Sequence, residues 1–375
     1  MSWKNAIWTA AILIMSALQG YSAASKYFLY LGVYGKGVYA YRFDTDGAKL
    51  DALGLVGQVT NPSFLAVDRN FRNLYAVSEL EGNVDGGVAA FAIDRTTGKL
   101  NALNTESSAG EAPCHLSVDH TSKMLMVANY GTGGVSVFPL EQDGRLAKMS
   151  GLLTGHGSSV NPKRQAGPHA HEAVVSADNR FLYVPDLGLD RIRIYRIDPE
   201  NAKLTPNDPP EAKVDAGYGP RHIAFTADGK FAYVADELEP FVTIFSHDAN
   251  SGALTKIKSI SILPAAAKGD NAPAEIEIGP SGKFLYVSNR GPGTIAVFAI
   301  NSDDGTLKPV QVAKTGGTWP RAFEFDPSGK FLFAGDQKAD QFVIFDVDPT
   351  NGKLNLTGRV FNVPSPVCFL FVPAE

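Results

Sequence analysis

Residues 222–236 read HIAFTADGKFAYVAD, and residues 242–254 read VTIFSHDANSGAL. The first stretch is two short apolar runs joined by Ala-Asp-Gly-Lys, with Gly229 where a tight turn needs a positive φ, so it reads as a β-hairpin. The second is a third strand closed by a turn and a leucine, after which a fourth strand is expected to begin. Moving outward, the same ending recurs at Leu50, Leu100, Leu146, Leu204, Leu254, Leu307 and Leu354, at steps of 50, 46, 58, 50, 53 and 47 residues. A repeat near fifty residues with four strands per unit is the signature of a β-propeller. Strands such as residues 295–300, IAVFAI, are apolar on both faces. A half-solvated strand would alternate, so each sheet is expected to be sandwiched between two others. No helical period of useful length follows residue 24.

The two ends complement each other. The first repeat opens at Lys26-Tyr-Phe-Leu-Tyr without a preceding first strand, and the chain closes on residues 364–373, PSPVCFLFVP, a first strand without followers that is similar to residues 61–68. The expectation is an all-β, seven-bladed β-propeller of four-stranded antiparallel blades, residues 25–375, with the C-terminal strand completing the N-terminal blade. Residues 1–24 read as a signal peptide: Lys4, a thirteen-residue apolar run from Ala6 to Leu18, then small residues for cleavage. The run is too short to span a bilayer, which takes about 20 residues. An exported protein, periplasmic or extracellular, with no membrane attachment after cleavage, is expected. A net charge of −5 without a Lys/Arg run argues against a nucleic-acid partner. Cys114 directly follows a proline and Cys368 lies two after one, which turns them to opposite faces of strands in non-adjacent blades; no disulfide is expected.

Function is sought where the repeats differ. The start of strand one and the end of strand two share the open end of the hairpin, at one mouth of the central channel. Aligned without gaps, the first position reads Ser63, Cys114, His171, Arg221, Ala274, Arg321. The second reads Tyr34, Glu79, Tyr130, Leu187, Glu237, Arg290, Gln337. The residue before the second is monotonous (Ser78, Asn129, Asp186, Asp236, Asn289, Asp336) and reads as scaffold. The ungapped register places Arg221 opposite Glu237. Arg290 takes the Glu237 position in the next blade and His171 the Arg221 position in the previous one, so the four should converge. Two arginines, a carboxylate and an imidazole suit an anionic ligand and acid–base chemistry. Each also has a plain structural reading, as a cross-strand ion pair, a buried histidine or a loop arginine. Glu79 and Arg321 read as substrate-orienting. The longest step holds the loop 155–171, a lid or binding segment with His156, Lys163, Arg164 and His169 as candidates. His169-Ala-His171 alternates like metal ligands, but no further ligands stand at suitable spacing, and no metal or cofactor is expected. There is neither a phosphate loop nor a serine nucleophile elbow.

At these motifs the chain resembles the seven-bladed propeller lactonase family, which includes 6-phosphogluconolactonases and carboxy-cis,cis-muconate cyclases. The resemblance is carried by residues 61–66 (NPSFLA), 113–116 (PCHL), 127–130 (VANY), 167–171 (GPHAH), 186–190 (DLGLD), 219–222 (GPRH), 288–291 (SNRG) and 319–321 (WPR). It implies lactone chemistry. It implies His171, Arg221, Glu237 and Arg290 as catalytic residues; the two repeat positions and the loop add Arg321, Glu79, Tyr130, His169 and Gln337 as expected substrate contacts. The sequence departs from the family where Asp236 stands in place of a usual asparagine, and again at Asp336. A small anionic lactone is the implied partner. Hydrolysis of a sugar-derived or other acidic lactone, a muconate-type cycloisomerisation on the same residues, and a non-catalytic binding propeller all remain open at this point.

Overall fold

The computed structural model describes residues 26–263 and 270–375; the expected signal peptide lies outside the described residues. Seven four-stranded antiparallel sheets form the ring. Blade 5 is typical: Pro220–Phe225, Phe231–Asp236, Phe241–Asp248 and Ala253–Ser261 pair in that order. The leucine that marks the repeat already belongs to the fourth strand rather than to the turn before it, as Leu254 pairs with His247, except in blade 3, where Leu146 makes an isolated bridge to Leu140 ahead of the strand Gly151–Thr154. Blade 1 is closed as expected. Pro366–Pro373 pairs antiparallel with Lys26–Val33, from Tyr27 opposite Pro373 to Gly32 opposite Cys368.

The apolar residues segregate into seven clusters, and each cluster straddles one seam between neighbouring blades. Tyr75 and Val77 of blade 2, for example, pack on Leu125 and Val127 of blade 3, and Tyr27 and Leu29 of blade 1 pack on Phe333 and Phe342 of blade 7. Tyr30, Tyr183 and Tyr233 are fully buried there. Each such side chain contributes roughly 2–3 kcal/mol by leaving water, provided its hydroxyl finds a partner. The partner is supplied across the seam. A second-strand tyrosine donates to a glycine carbonyl in the turn before the next blade's fourth strand: Tyr30 to Gly98 (3.1 Å), Tyr75 to Gly144 (3.0 Å), Tyr183 to Gly252 (3.0 Å), Tyr233 to Gly305 (3.0 Å) and Tyr286 to Gly352 (2.8 Å). Where Met126 and Phe333 replace the tyrosine, the facing turns carry Ala202 and Ala48 instead of glycine. The exchange tracks the loss of the hydroxyl, seam by seam.

The first strands of neighbouring blades lie beside one another round the ring axis, and here the ungapped register fails. In blade 5, Pro220 pairs with Asp236 but His222 pairs with Ala235, so Arg221 is the extra residue of a β-bulge and does not lie opposite Glu237. The same slip occurs between Pro113 and His115 and between Pro320 and Ala322. A bulge turns the side chains of consecutive residues away from strict alternation. In these three blades the first position, Cys114, Arg221 and Arg321, is therefore a bulge position, and the bulge aims its side chain.

Candidate active site

Glu237 follows directly on the second strand of blade 5, with its N–H donating to Gly219 O (2.8 Å). Its side chain is buried and gathers partners from three consecutive blades and one loop. Oε2 lies 2.8 Å from Nη2 of Arg290 (blade 6), 3.2 Å from Nε of Arg221 (blade 5) and 3.7 Å from Nε2 of His171 (blade 4). Oε1 accepts from Nη2 of Arg164 at 2.7 Å. The four residues expected to converge do so, although the pairing of Arg221 with Glu237 runs across a bulge. Arg221 is fixed by donating Nη1–H to Ala274 O (2.8 Å). Arg290 is fixed by donating to Ala272 O (3.0 Å) and by lying over the Trp319 ring at 5.4 Å. His171 packs against Tyr130, ring to ring at 5.4 Å, and its Nδ1 faces the buried Cys114 thiol at 3.8 Å.

The electrostatics follow from this packing. Burial opposes the charge on Glu237, but Arg290, Arg221 and Arg164 together outweigh it and hold the carboxyl at about 2. Burial and the nearby Arg221 drive His171 well below the usual imidazole range, so it is neutral at pH 7. Burial with Arg290 and Arg321 alongside lowers Arg221 to about 10, still charged. An ionised but weakly basic carboxylate thus faces a neutral imidazole inside a ring of guanidinium groups.

Glu79 and Arg321 form a separate pair at 3.5 Å. Beside it, burial and the Glu79 and Glu81 charges raise the Tyr34 phenol to about 12. Tyr130 meets the cluster through its hydroxyl, which accepts from Arg164 at 3.0 Å. His169 supports it from behind: the rings stack at 4.7 Å, and His169 Nδ1 lies 2.8 Å from Tyr130 O. His169 is thus a prop for Tyr130 rather than part of the charged centre. Gln337 lies on a short 3-10 turn, and no side-chain hydrogen bond joins it to the cluster among the described residues. His156 and Lys163 are exposed. Two features escaped the repeat comparison. One is Arg164, which was only one of four loop candidates. The other is a layer one residue further along the chain, His115, Glu172, His222 and Glu275, each directly following a residue of the first position. His222 Nδ1 lies 2.8 Å from Glu275 Oε1, and Glu172 Oε1 lies 3.6 Å from His115 Nε2. The signal was present in the sequence, as polar residues succeeding one another in a first strand.

The monotonous position behaves as scaffold. Asp236 Oδ2 accepts from Thr243 (2.7 Å), Asp336 Oδ1 from Thr315 (2.7 Å), and Asn129 donates to Ser136 (2.9 Å). Burial pushes the Asp236 carboxyl well above its usual range. A concavity of about 860 Å³ lies elsewhere, between Arg69, Arg72, Arg95 and Glu375. Its lining holds no histidine, and Arg95 is engaged by Glu375 at 3.1 Å, so cavity size does not select the site.

Residues 28–371 match the family model of the seven-bladed β-propeller lactonases. The chain belongs to that family, a class of propeller enzymes that act on lactones. Among individual relatives, it is 35% identical to a 6-phosphogluconolactonase of Bacillus subtilis over 93% of this chain and 99% of the relative. It is 34% identical to a 6-phosphogluconolactonase of Formosa agariphila over 76% of this chain and 80% of that one. Among solved structures, the periplasmic gluconolactonase of Pseudomonas aeruginosa superposes with a TM-score of 0.89 at 33% identity, covering 94% of this chain and all of the other.

Proposed function

We propose that this protein hydrolyses a sugar-derived lactone bearing an anionic group, at the mouth of the channel where Glu237 sits. The observation that carries the reading is the Glu237 centre: one buried carboxylate and one neutral imidazole within reach of three arginines. With the Glu79–Arg321 pair included, four guanidinium groups face two carboxylates, an excess of positive charge suited to an anion. Arg221 and Arg290 hold the substrate and polarise the lactone carbonyl. Glu237 accepts a proton from water as the water oxygen bonds to the carbonyl carbon. The ring C–O bond then breaks, and that proton passes to the departing alkoxide, leaving a hydroxy acid. His171 faces Glu237 and is the second group placed to carry the proton.

The names of the relatives support a gluconolactone-type substrate, and the arginines support a charged one. The N-terminal pattern supports export, as does the likeness to a periplasmic relative. The test is proton release on gluconolactone, its 6-phosphate, other aldonolactones and muconolactones, with Glu237→Gln as the blank. We expect one lactone to be hydrolysed well above the spontaneous rate, with the excess lost in Glu237→Gln and at least about 100-fold reduced in His171→Ala. Near-normal turnover in both variants would exclude the assignment. Reversible ring closure on a muconate would favour the cycloisomerase, and no variant-sensitive rate at all would favour a binding protein.

A further inference from the structure

The Glu237 centre poses a problem for its own chemistry. A carboxylate clamped by three guanidinium groups is a poor proton acceptor. Two of the clamps cannot move easily, since Arg221 and Arg290 are buried and tied to backbone carbonyls. Arg164 differs. Its side chain is 43% exposed, it comes from the loop 155–171 rather than from a blade, and its other side-chain partner is the Tyr130 hydroxyl.

The backbone that carries Arg164 is nevertheless firmly seated. Its neighbour Gln165 is fully buried, donating from Nε2 to Leu187 O (2.9 Å) and Asp190 Oδ1 (2.8 Å), while its Oε1 accepts from Asn161 N–H (3.0 Å). Asp190 accepts in addition from Ser159 Oγ and from the N–H groups of Gly217 and Gly219, both at 2.7 Å. Those glycines lead directly into Pro220 and Arg221. One buried carboxylate therefore fixes the foot of the loop and the approach to the bulge together. The partly exposed Arg164 side chain thus hangs from a rigid base.

Resting on the lactonase reading above, we propose that Arg164 is a substrate-charge sensor. It exchanges Glu237 Oε1 for the carboxylate or phosphate of an arriving lactone, and so frees that oxygen to receive the proton of the attacking water. Three charged groups would still face Glu237: Arg221 from its own blade, Arg290 from the next, and Arg321 farther round the ring. Neutral His171, Tyr130 and the buried Cys114 thiol also face it. An anionic lactone gains twice from the exchange, in binding and in the strength of the base. A neutral lactone leaves the clamp in place.

The experiment compares gluconolactone with its 6-phosphate in wild type, Arg164→Gln and Arg164→Lys, with kcat and KM measured from pH 2 to 8 and Glu237→Gln as the blank. In Arg164→Gln, kcat/KM for the phosphorylated lactone should fall about 100-fold, the size expected for a lost charge-assisted contact. That for the neutral lactone should rise about threefold, because the competing clamp is gone. The acid limb of the neutral-lactone profile should move to higher pH in Arg164→Gln, and Arg164→Lys should restore part of the anionic preference. Equal losses on both lactones with an unmoved acid limb would overturn the sensor while leaving the lactonase standing. Absence of Glu237-dependent hydrolysis of both lactones in wild type would overturn the functional reading, and this one with it.

Discussion

Replacing Glu237 by glutamine keeps the shape and removes the charge, and the structure sets the size of the effect. Its carboxyl is held at about 2 against an ordinary value of 4.5. A depression of about 2.5 units corresponds to roughly 3 kcal/mol favouring the folded state. The range measured for breaking a buried ion pair, about 3–5 kcal/mol, is of the same order. Because the folded value is the lower one, this stabilisation is present above about pH 4.5 and is lost as the pH falls toward 2. About 2 kcal/mol of it is gone by pH 3. Glu237→Gln should therefore unfold at lower urea concentration than wild type at pH 7, by close to 3 kcal/mol, and the gap should narrow to about 1 kcal/mol at pH 3. Urea titrations followed by tryptophan fluorescence at both pH values provide the check. Equal stability at pH 7, or a gap that does not change with pH, would refute the account of Glu237 as the counter-ion of Arg221 and Arg290.

Two further outcomes are expected. Asp236→Asn should stabilise the protein at pH 7 and not at pH 3: burial raises the Asp236 carboxyl, so the penalty for ionising it appears only as the pH climbs above its unfolded value, near 4. Thermal melts at the two pH values would show it. Gly188→Ala would place a Cβ 1.9 Å from Gly167 O and 2.9 Å from the His169 ring. The run that props Tyr130 must then move, with a destabilisation of about 2 kcal/mol and a fall in kcat/KM on the best lactone, both measurable on the purified variant.

The ring was legible because its two determinants are periodic in sequence: leucines about fifty residues apart, and strands apolar on both faces. The convergence of His171, Arg221, Glu237 and Arg290 in the candidate site was legible for the opposite reason, since they stand where the repeats disagree. What was lost is backbone and reach. The slip between Pro220 and His222 adds no residue type that a repeat alignment could notice, yet it decides where Arg221 and His222 point. Arg164 lies in an insertion with no counterpart in the other blades, so no column could contain it, and its contact with Glu237 spans 73 residues. The Asp236 departure looked like a change next to the site. In the structure its carboxyl, raised by burial, accepts from Thr243, so a protonated acid can fill the place of an amide.

The strand Pro366–Pro373 has a consequence for how the molecule comes into being. Its partner, Lys26–Val33, is among the first parts of the ring to be synthesised and must wait for nearly the whole chain before its edge is covered. Until then an apolar strand with unpaired backbone groups is open to any passing chain. The contact that ends this exposure closes a loop of over three hundred residues, and such contacts form late. A chain handed unfolded through a membrane would meet no ring on the way and would lock only after its last strand arrived. Removing that strand should yield a protein that keeps blades 2 to 7 but associates through blade 1.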